Sequence, residues 1–280
     1  MQSDYESRGY LQEDFRLFHL KDTALRHVDW HYHNFHKIIF FLGGHVRYSI
    51  EGKTYTLQPG DLILVSQGCI HRPEVLDETP YERLILYISP AYLAGLGGDS
   101  DLEVCFRLAR EQYNFVLRPR DADTPLQNLA MQLDNATREP DFGQALLCRC
   151  LFLQLMVCIN RKVLAGQLEY VSESLFDQKI VAVLQYLNLH LAEPLTVDFL
   201  AAQFYISKFH LMRKFKESTG YTIHNYLIKK RLLLARTQIL EGTPVMDACY
   251  QCGFQDYSAF SRAYKKQFGF SPRQTTTVIK

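Results

Sequence analysis

Two helix-turn-helix signatures stand in tandem near the C-terminus, joined by one basic helix, and no other feature restricts the fold so tightly. The first runs Leu195-Thr196-Val197-Asp198-Phe199-Leu200-Ala201-Ala202-Gln203-Phe204 into a turn. Ser207-Lys208-Phe209-His210-Leu211-Met212-Arg213-Lys214-Phe215-Lys216 then opens a second helix. The other copy runs Thr243-Pro244-Val245-Met246-Asp247-Ala248-Cys249-Tyr250-Gln251-Cys252-Gly253-Phe254, followed by Ser258-Ala259-Phe260-Ser261-Arg262-Ala263-Tyr264-Lys265-Lys266. A compact pair of such units can set two helices in successive major grooves on one side of double-stranded DNA.

Charge supports that reading once the chain is divided. The 280 residues suffice for about two domains of ~150 residues. A net charge of +1 conceals a split: residues 178–280 hold 14 Lys+Arg against 6 Asp+Glu, or +8, and the remainder holds 17 against 24, or −7. A basic module suits nucleic acid, and the acidic one has another task. No apolar run reaches the ~20 residues that span a bilayer. Met1 to Arg16 lacks a charged-then-apolar leader. Seven cysteines without framework spacing indicate reduced thiols. Cytoplasmic residence without a membrane partner is expected.

Phe15 to Ser89 reads as closely spaced short strands, among them 37–42, 45–50, 54–57, 61–65 and 83–88, divided by Gly and Pro turns. A small barrel or sandwich follows. Asp101 to Gly166 lacks strand alternation and reads as helical. Phe142 to Val163 is apolar on almost every side, and Leu146, Cys150, Leu153 and Val157 form a seam suited to a twin helix. The polar stretch 167–177 reads as a linker. The fold class is thus α+β, with domains at 1–166 and 178–280.

On the first recognition helix, Leu211 and Phe215 face inward. The DNA side falls to Ser207 and Lys208 at its start, and to Phe209, Met212, Arg213 and Lys216. Phe209 can pack on a thymine methyl, and Arg213 can pair with guanine O6 and N7. Lysines 208, 214 and 216 suit phosphates. On the second, Phe260 and Tyr264 face inward and Tyr257, Ser258, Ser261 and Arg262 outward. Lys229, Lys230, Arg231 and Arg236 form the basic side of the connecting helix. Cys249 and Cys252 form a CxxC pair at the end of the helix before the turn, with no second Cys/His pair nearby, which argues against zinc or redox use.

In the strand region, His31-Tyr32-His33 places two imidazoles on one face, and His71 can join them. Three histidines can hold a divalent metal. An organic effector bound through Trp30, His31, His33, Tyr48 and His71 is the preferred reading, with no metal and no cofactor. Purely structural histidines are the third option. His36 and His45 read as surface residues.

Gly52-x-x-Tyr55-x-Leu57-x-Pro59-Gly60-Asp61-x-x-Leu64-Val65, ending at Gly68-x-x-His71, resembles the cupin-like sensing domain of AraC-type transcription regulators. Gly253-Phe254, Ser258, Phe260, Ser261-Arg262, Tyr264-Lys265-Lys266, Phe268-Gly269 and Ser271-Pro272 resemble their DNA-binding domain. The resemblance covers Asp29 to Ile88 and Gln178 to Pro272. It implies a cupin-like β-barrel followed by dimerisation helices, then an all-α domain of two helix-turn-helix units. Carried over, its groove-reading positions fall on Phe209, Met212, Arg213 and Ser258, with Arg262 nearby. It further implies a homodimer, a small-molecule effector such as a sugar, contact with RNA polymerase, and transcription activation without catalysis. Two departures stand out: Tyr205 where the family has glycine, and Thr275-Thr276 where it has a Tyr-Arg pair. In metal-binding cupins a glutamate follows the His-x-His pair, whereas Lys37 lies in that region here. The alternative is a metal-dependent cupin enzyme with an appended DNA-binding module. A third reading is a DNA-binding protein that needs no ligand.

Overall fold

A computed structural model describes residues 11, 13–23, 28–98, 100–120, 125–138, 140–172 and 174–278. Most of the leader region, residues 1–10 and 12, lies outside them. The chain divides into two compact units, Met1–Leu175 and Phe176–Lys280.

The first unit holds ten strands in two antiparallel sheets. β1 (Phe15–Asp22), β7 (Tyr81–Ile88), β2 (His36–Gly43), β5 (Leu62–Val65), β8 (Val116–Pro119) and β9 (Leu168–Tyr170) lie side by side in that order. The second sheet has the order β10 (Ser174–Leu175), β4 (Lys53–Thr56), β3 (Val46–Ile50), β6 (His71–Val75). The sheets face one another across a shared core. Lys37 of β2 reaches His71 of β6, and the Tyr55 hydroxyl of β4 accepts from the Phe115 N–H beside β8.

Alternation assigns β2 two jobs. Lys37, Ile39 and Phe41 point between the sheets, while His36, Ile38 and Phe40 point to the outer face. There His36 stacks on Phe106 at 4.4 Å. Both faces are covered, so the strand from His36 to Phe41 is buried throughout. This corrects the expectation for His36, which is buried beside Glu103 rather than exposed. His45 is exposed and pairs with Asp77.

Among the described residues, four helices accompany the sheets: α1 (Pro90–Leu96), α2 (Val104–Glu111), α3 (Pro125–Arg138) and α4 (Gln144–Leu164). Helix α4 buries Cys148, Phe152, Leu155, Met156, Ile159 and Val163, and Phe152 stacks on Phe15 of β1 at 4.4 Å. Buried Asn160 is satisfied in full, accepting from Cys105 N–H and donating to the Leu102 and Met156 carbonyls. β8 corrects the all-helical expectation for 101–166. Strands β9 and β10 occupy the stretch expected as a linker, pairing with β8 and β4.

The second unit is all helix: α5 (Gln178–Leu189), α6 (Val197–Gln203), α7 (Lys208–Thr219), α8 (Ile223–Leu240), α9 (Val245–Gln251), α10 (Tyr257–Phe268), a 3-10 turn at Pro272–Gln274 and α11 (Thr275–Val278). Side-chain caps at Asp177, Thr196, Ser207, Thr222 and Asp256 explain where α5, α6, α7, α8 and α10 begin. Each cap contributes about 1 kcal/mol. Helix α5 ends at His190, before Leu191 and the Glu193-Pro194 stop. Helix α9 begins after Pro244, which is itself the cap position, so Thr243 does not cap it. The last helix forms despite the Thr275-Thr276 departure: Thr275 is buried, and its hydroxyl lies 2.7 Å from that of Tyr264.

Candidate DNA interface and effector site

In the first helix-turn-helix, Leu200, Leu211 and Phe215 form the buried side, and Phe215 meets Tyr226 of α8 edge-on. The opposite side of α7 carries the sequence-predicted residues. Phe209 is 85% exposed, with Met212 at 47%, although solvent favours neither. The Arg213 side chain is 64% exposed and borders Glu217 at 3.9 Å. Lys216 is exposed. Ser207 uses its hydroxyl to cap α7. Lys208 is held 2.8 Å from Asp198 of α6, an ion pair that a DNA phosphate would have to compete with.

In the second unit, Phe260 and Tyr264 are buried, while Ser258 and Arg262 are exposed and Ser261 is half-buried. Tyr257 departs from expectation. Its ring packs against the core beside Phe260, 6.1 Å between centroids, instead of standing free. Cys249 and Cys252 are fully buried in the same core. Burial pushes the Cys252 thiol up to about 12, which leaves it inert.

Sequence reasoning missed the joint between the two helix-turn-helix motifs, which lies wholly within the helical unit. Arg231 of α8, expected on a solvated basic face, donates to three carbonyls: Leu191 at 2.6 Å, Glu193 at 2.6 Å and Gly253 at 3.1 Å. Gly253 has φ +85°, and a Cβ there would lie 2.7 Å from the Ala192 carbonyl oxygen. One guanidinium therefore ties the loop before the first unit to the turn of the second. Its neighbours are also engaged. Lys229 donates to Gln267 at 3.2 Å, Lys230 sits 5.2 Å over Tyr226, and Arg236 lies 4.9 Å over Phe268. The spacing signal was present, but the long-range partners were not local.

Between the sheets, the ring nitrogens of His31, His33 and His71 lie within 4.8 Å of one another, the one cluster among the described residues with metal-ligand geometry. His31 forms an isolated backbone bridge with His71 instead of belonging to a strand. Tyr48 joins them, its ring parallel to His71 at 6.0 Å and its buried hydroxyl without a hydrogen-bond partner. Trp30 does not join. Arg72 lies 4.8 Å over its ring, and Arg72 alternates with His71 to the opposite face of β6. The new member is Lys37, only 6% exposed, whose Nζ lies 3.4 Å from His71 Nε2. Burial, with Arg83 nearby, lowers the Lys37 ammonium to about 7. Burial, then Lys37, holds His31 down to about 4, and the same two causes hold His71 well below the usual imidazole range.

A histidine cluster between two sheets and a paired helix-turn-helix module suit a DNA-binding regulator with a ligand-binding domain. Residues 14–156 match the family model of the AraC-like ligand binding domain, and 200–277 that of a helix-turn-helix domain. The HTH-type transcriptional activator RhaS of Klebsiella pneumoniae (strain 342) is 29% identical over 248 residues, 87% of this chain and 85% of that one. The structure of a probable AraC family transcriptional regulator from Rhodopseudomonas palustris aligns with 37% of this chain and 99% of its own, at 26% identity and TM-score 0.34. ToxT from Vibrio cholerae aligns with 95% of this chain and 98% of its own, at 15% identity and TM-score 0.37. The chain belongs to the AraC family of transcription regulators. These relatives do not support the enzyme alternative. No helix among the described residues is long and apolar enough to cross a membrane.

Proposed function

We propose that the chain is a cytoplasmic activator in which residues 1–166 sense a small metabolite, such as a sugar, and 178–280 read the operator. Phe209, Met212 and Arg213 contact bases from α7. Ser258, Ser261 and Arg262 do so from α10, and Lys216 contacts phosphate. His31, His33, His71 and Tyr48 line the effector site. The observation that carries the reading is the outward display of Phe209 and Arg213 on a helix whose other side is fully packed.

A second copy is the proposed partner of α4. Leu146, Leu147 and Cys150 are exposed on the side away from the core, and Leu153 and Val157 continue the stripe. Pairing these stripes would remove apolar surface from water at about 25 cal/mol per Å². The effector acts by binding one arrangement of the dimer better than another, and so changes DNA occupancy or contact with RNA polymerase.

The test is binding-site selection with the full chain, then with Arg213→Ala. The variant should lose discrimination of about 1–3 kcal/mol at one or two base pairs. An equal loss across all sequences would sink the assigned role.

A further inference from the structure

We propose that the effector carries a carboxylate on a small hydroxylated carbon frame, and that Lys37 is its counter-ion. The proposal rests on the effector reading above and deepens it. Lys37 issues from the middle of the larger sheet, paired in register with Tyr87 on one side and Val65 on the other. Its neighbours are the His71 ring and the face of Tyr87 at 5.8 Å. Arg83, whose charge acts on Lys37, is also a cation and is itself paired with Asp22. Among the described residues no carboxylate pairs with Lys37. A buried ammonium without a counter-ion destabilises a fold, and a hydrophobic residue of similar volume would remove that cost. Its presence makes sense if a ligand brings the anion.

The surrounding groups specify the rest of that ligand. His71 Nδ1 lies 2.9 Å from the Cys69 carbonyl, and His31 Nδ1 lies 2.7 Å from that of Asp29. A carbonyl only accepts, so both Nδ1 atoms carry the proton and both Nε2 atoms carry lone pairs. Imidazole lone pairs accept from hydroxyls. Tyr48, 1% exposed, holds a phenol without a partner. The His71 lone pair already takes Lys37, so the site offers one cation, one idle hydroxyl donor and one free acceptor, His31. A hydroxy acid satisfies them together: its carboxylate takes Lys37 and Tyr48, and a hydroxyl donates to His31. A neutral polyol leaves the ammonium unpaired. A long-chain anion leaves the His31 imidazole with nothing to accept. A divalent ion would meet Lys37 at the His71 lone pair it needs.

The experiment uses the full chain and three matched pairs of probes: galacturonate and galactose, gluconate and sorbitol, lactate and propane-1,2-diol. Thermal melting and calorimetric titration are read at neutral pH, with DNA affinity measured on the same samples. At least one acid should raise the melting temperature by about 3 °C or more while its neutral twin does not. Lys37→Met should melt higher than the parent without ligand and bind that acid at least about tenfold more weakly. Tyr48→Phe, a milder change, should weaken binding several-fold and decides the matter if the lysine variant does not fold. The proposal is overturned if a neutral twin matches its acid, if Lys37→Met keeps the gain, or if no acid binds at about 10 mM. An acid that binds without altering DNA affinity would instead overturn the effector reading and leave the site chemistry standing. A neutral sugar that alters DNA affinity would do the reverse.

Discussion

The two helix-turn-helix units share a plan and differ at the turn. Tyr205 occupies the left-handed region in the first, at φ +51°, with its ring fully in solvent and 89% exposed. Gly253 occupies the same region in the second, at φ +85°, with the Ala192 backbone where a side chain would begin. An open turn can carry a side chain at a strain of about 1 kcal/mol, whereas a turn pressed against another backbone can carry none. The same motif therefore serves two purposes. The first turn only reverses the chain, and the second also docks one unit on the other.

Gly253→Ala should produce the largest effect, because strain and a collision with backbone add. A loss of ~3 kcal/mol or more is expected, seen as a drop of about 12 °C or more in the melting of the helical unit. A loss below ~1 kcal/mol would mean that the joint yields. Arg231→Ala comes next, at about 2–4 kcal/mol, since three carbonyls lose a charged donor. It also has a signature on DNA. The parent should demand one spacing between its two half-sites, and the variant should accept a base pair more or less. Unchanged spacing selectivity would reduce Arg231 to a stabilising residue.

Tyr205→Gly tests the other half of the contrast and should go the opposite way. Relief of left-handed strain outweighs the added chain entropy by at most ~1 kcal/mol, so a small rise in melting temperature is expected. The Lys179 bond to the Tyr205 carbonyl, 2.9 Å, survives because it uses backbone. Tyr205→Ala keeps the strain and should show no gain.

Local pattern accounts for what could be read from the chain. Leu211 and Phe215 lie one helical turn apart, and both are buried as their spacing requires. Strands β2 to β5 and β7 announced themselves through apolar runs ended by Gly or Pro. β8 did not, because four residues ending in Pro119 between helices hold no alternation to count. β9 and β10, at three and two residues, exist only through their partners on β8 and β4. At the candidate site between the sheets the histidine triplet was legible as a motif. The place of Lys37 was not, because its contact with His71 depends on two sheets meeting. Trp30 failed for a related reason, since its partner Arg72 lies far along the chain. Tyr257 instead meets Phe260 one turn on along the same helix, a contact that its spacing already allowed.

The smallest expected change separates cations that look alike in sequence. Lys229 lies on the basic side of the connecting helix, yet its ammonium donates to Gln267 and lies 5.3 Å over the Tyr221 ring, half-buried. Lys216 stands exposed on α7, four residues past Met212 on the displayed side. Counterion release depends on charges that reach the phosphates, not on charges counted in a sequence. Lys216→Ala should therefore lower the salt slope of DNA binding by about one unit, and Lys229→Ala should leave it unchanged while costing about 0.5–1 kcal/mol of stability from the lost cation–π contact. If both variants shifted the slope alike, Lys229 would have to leave Gln267 and Tyr221 on binding, and the connecting helix would belong to the DNA surface after all.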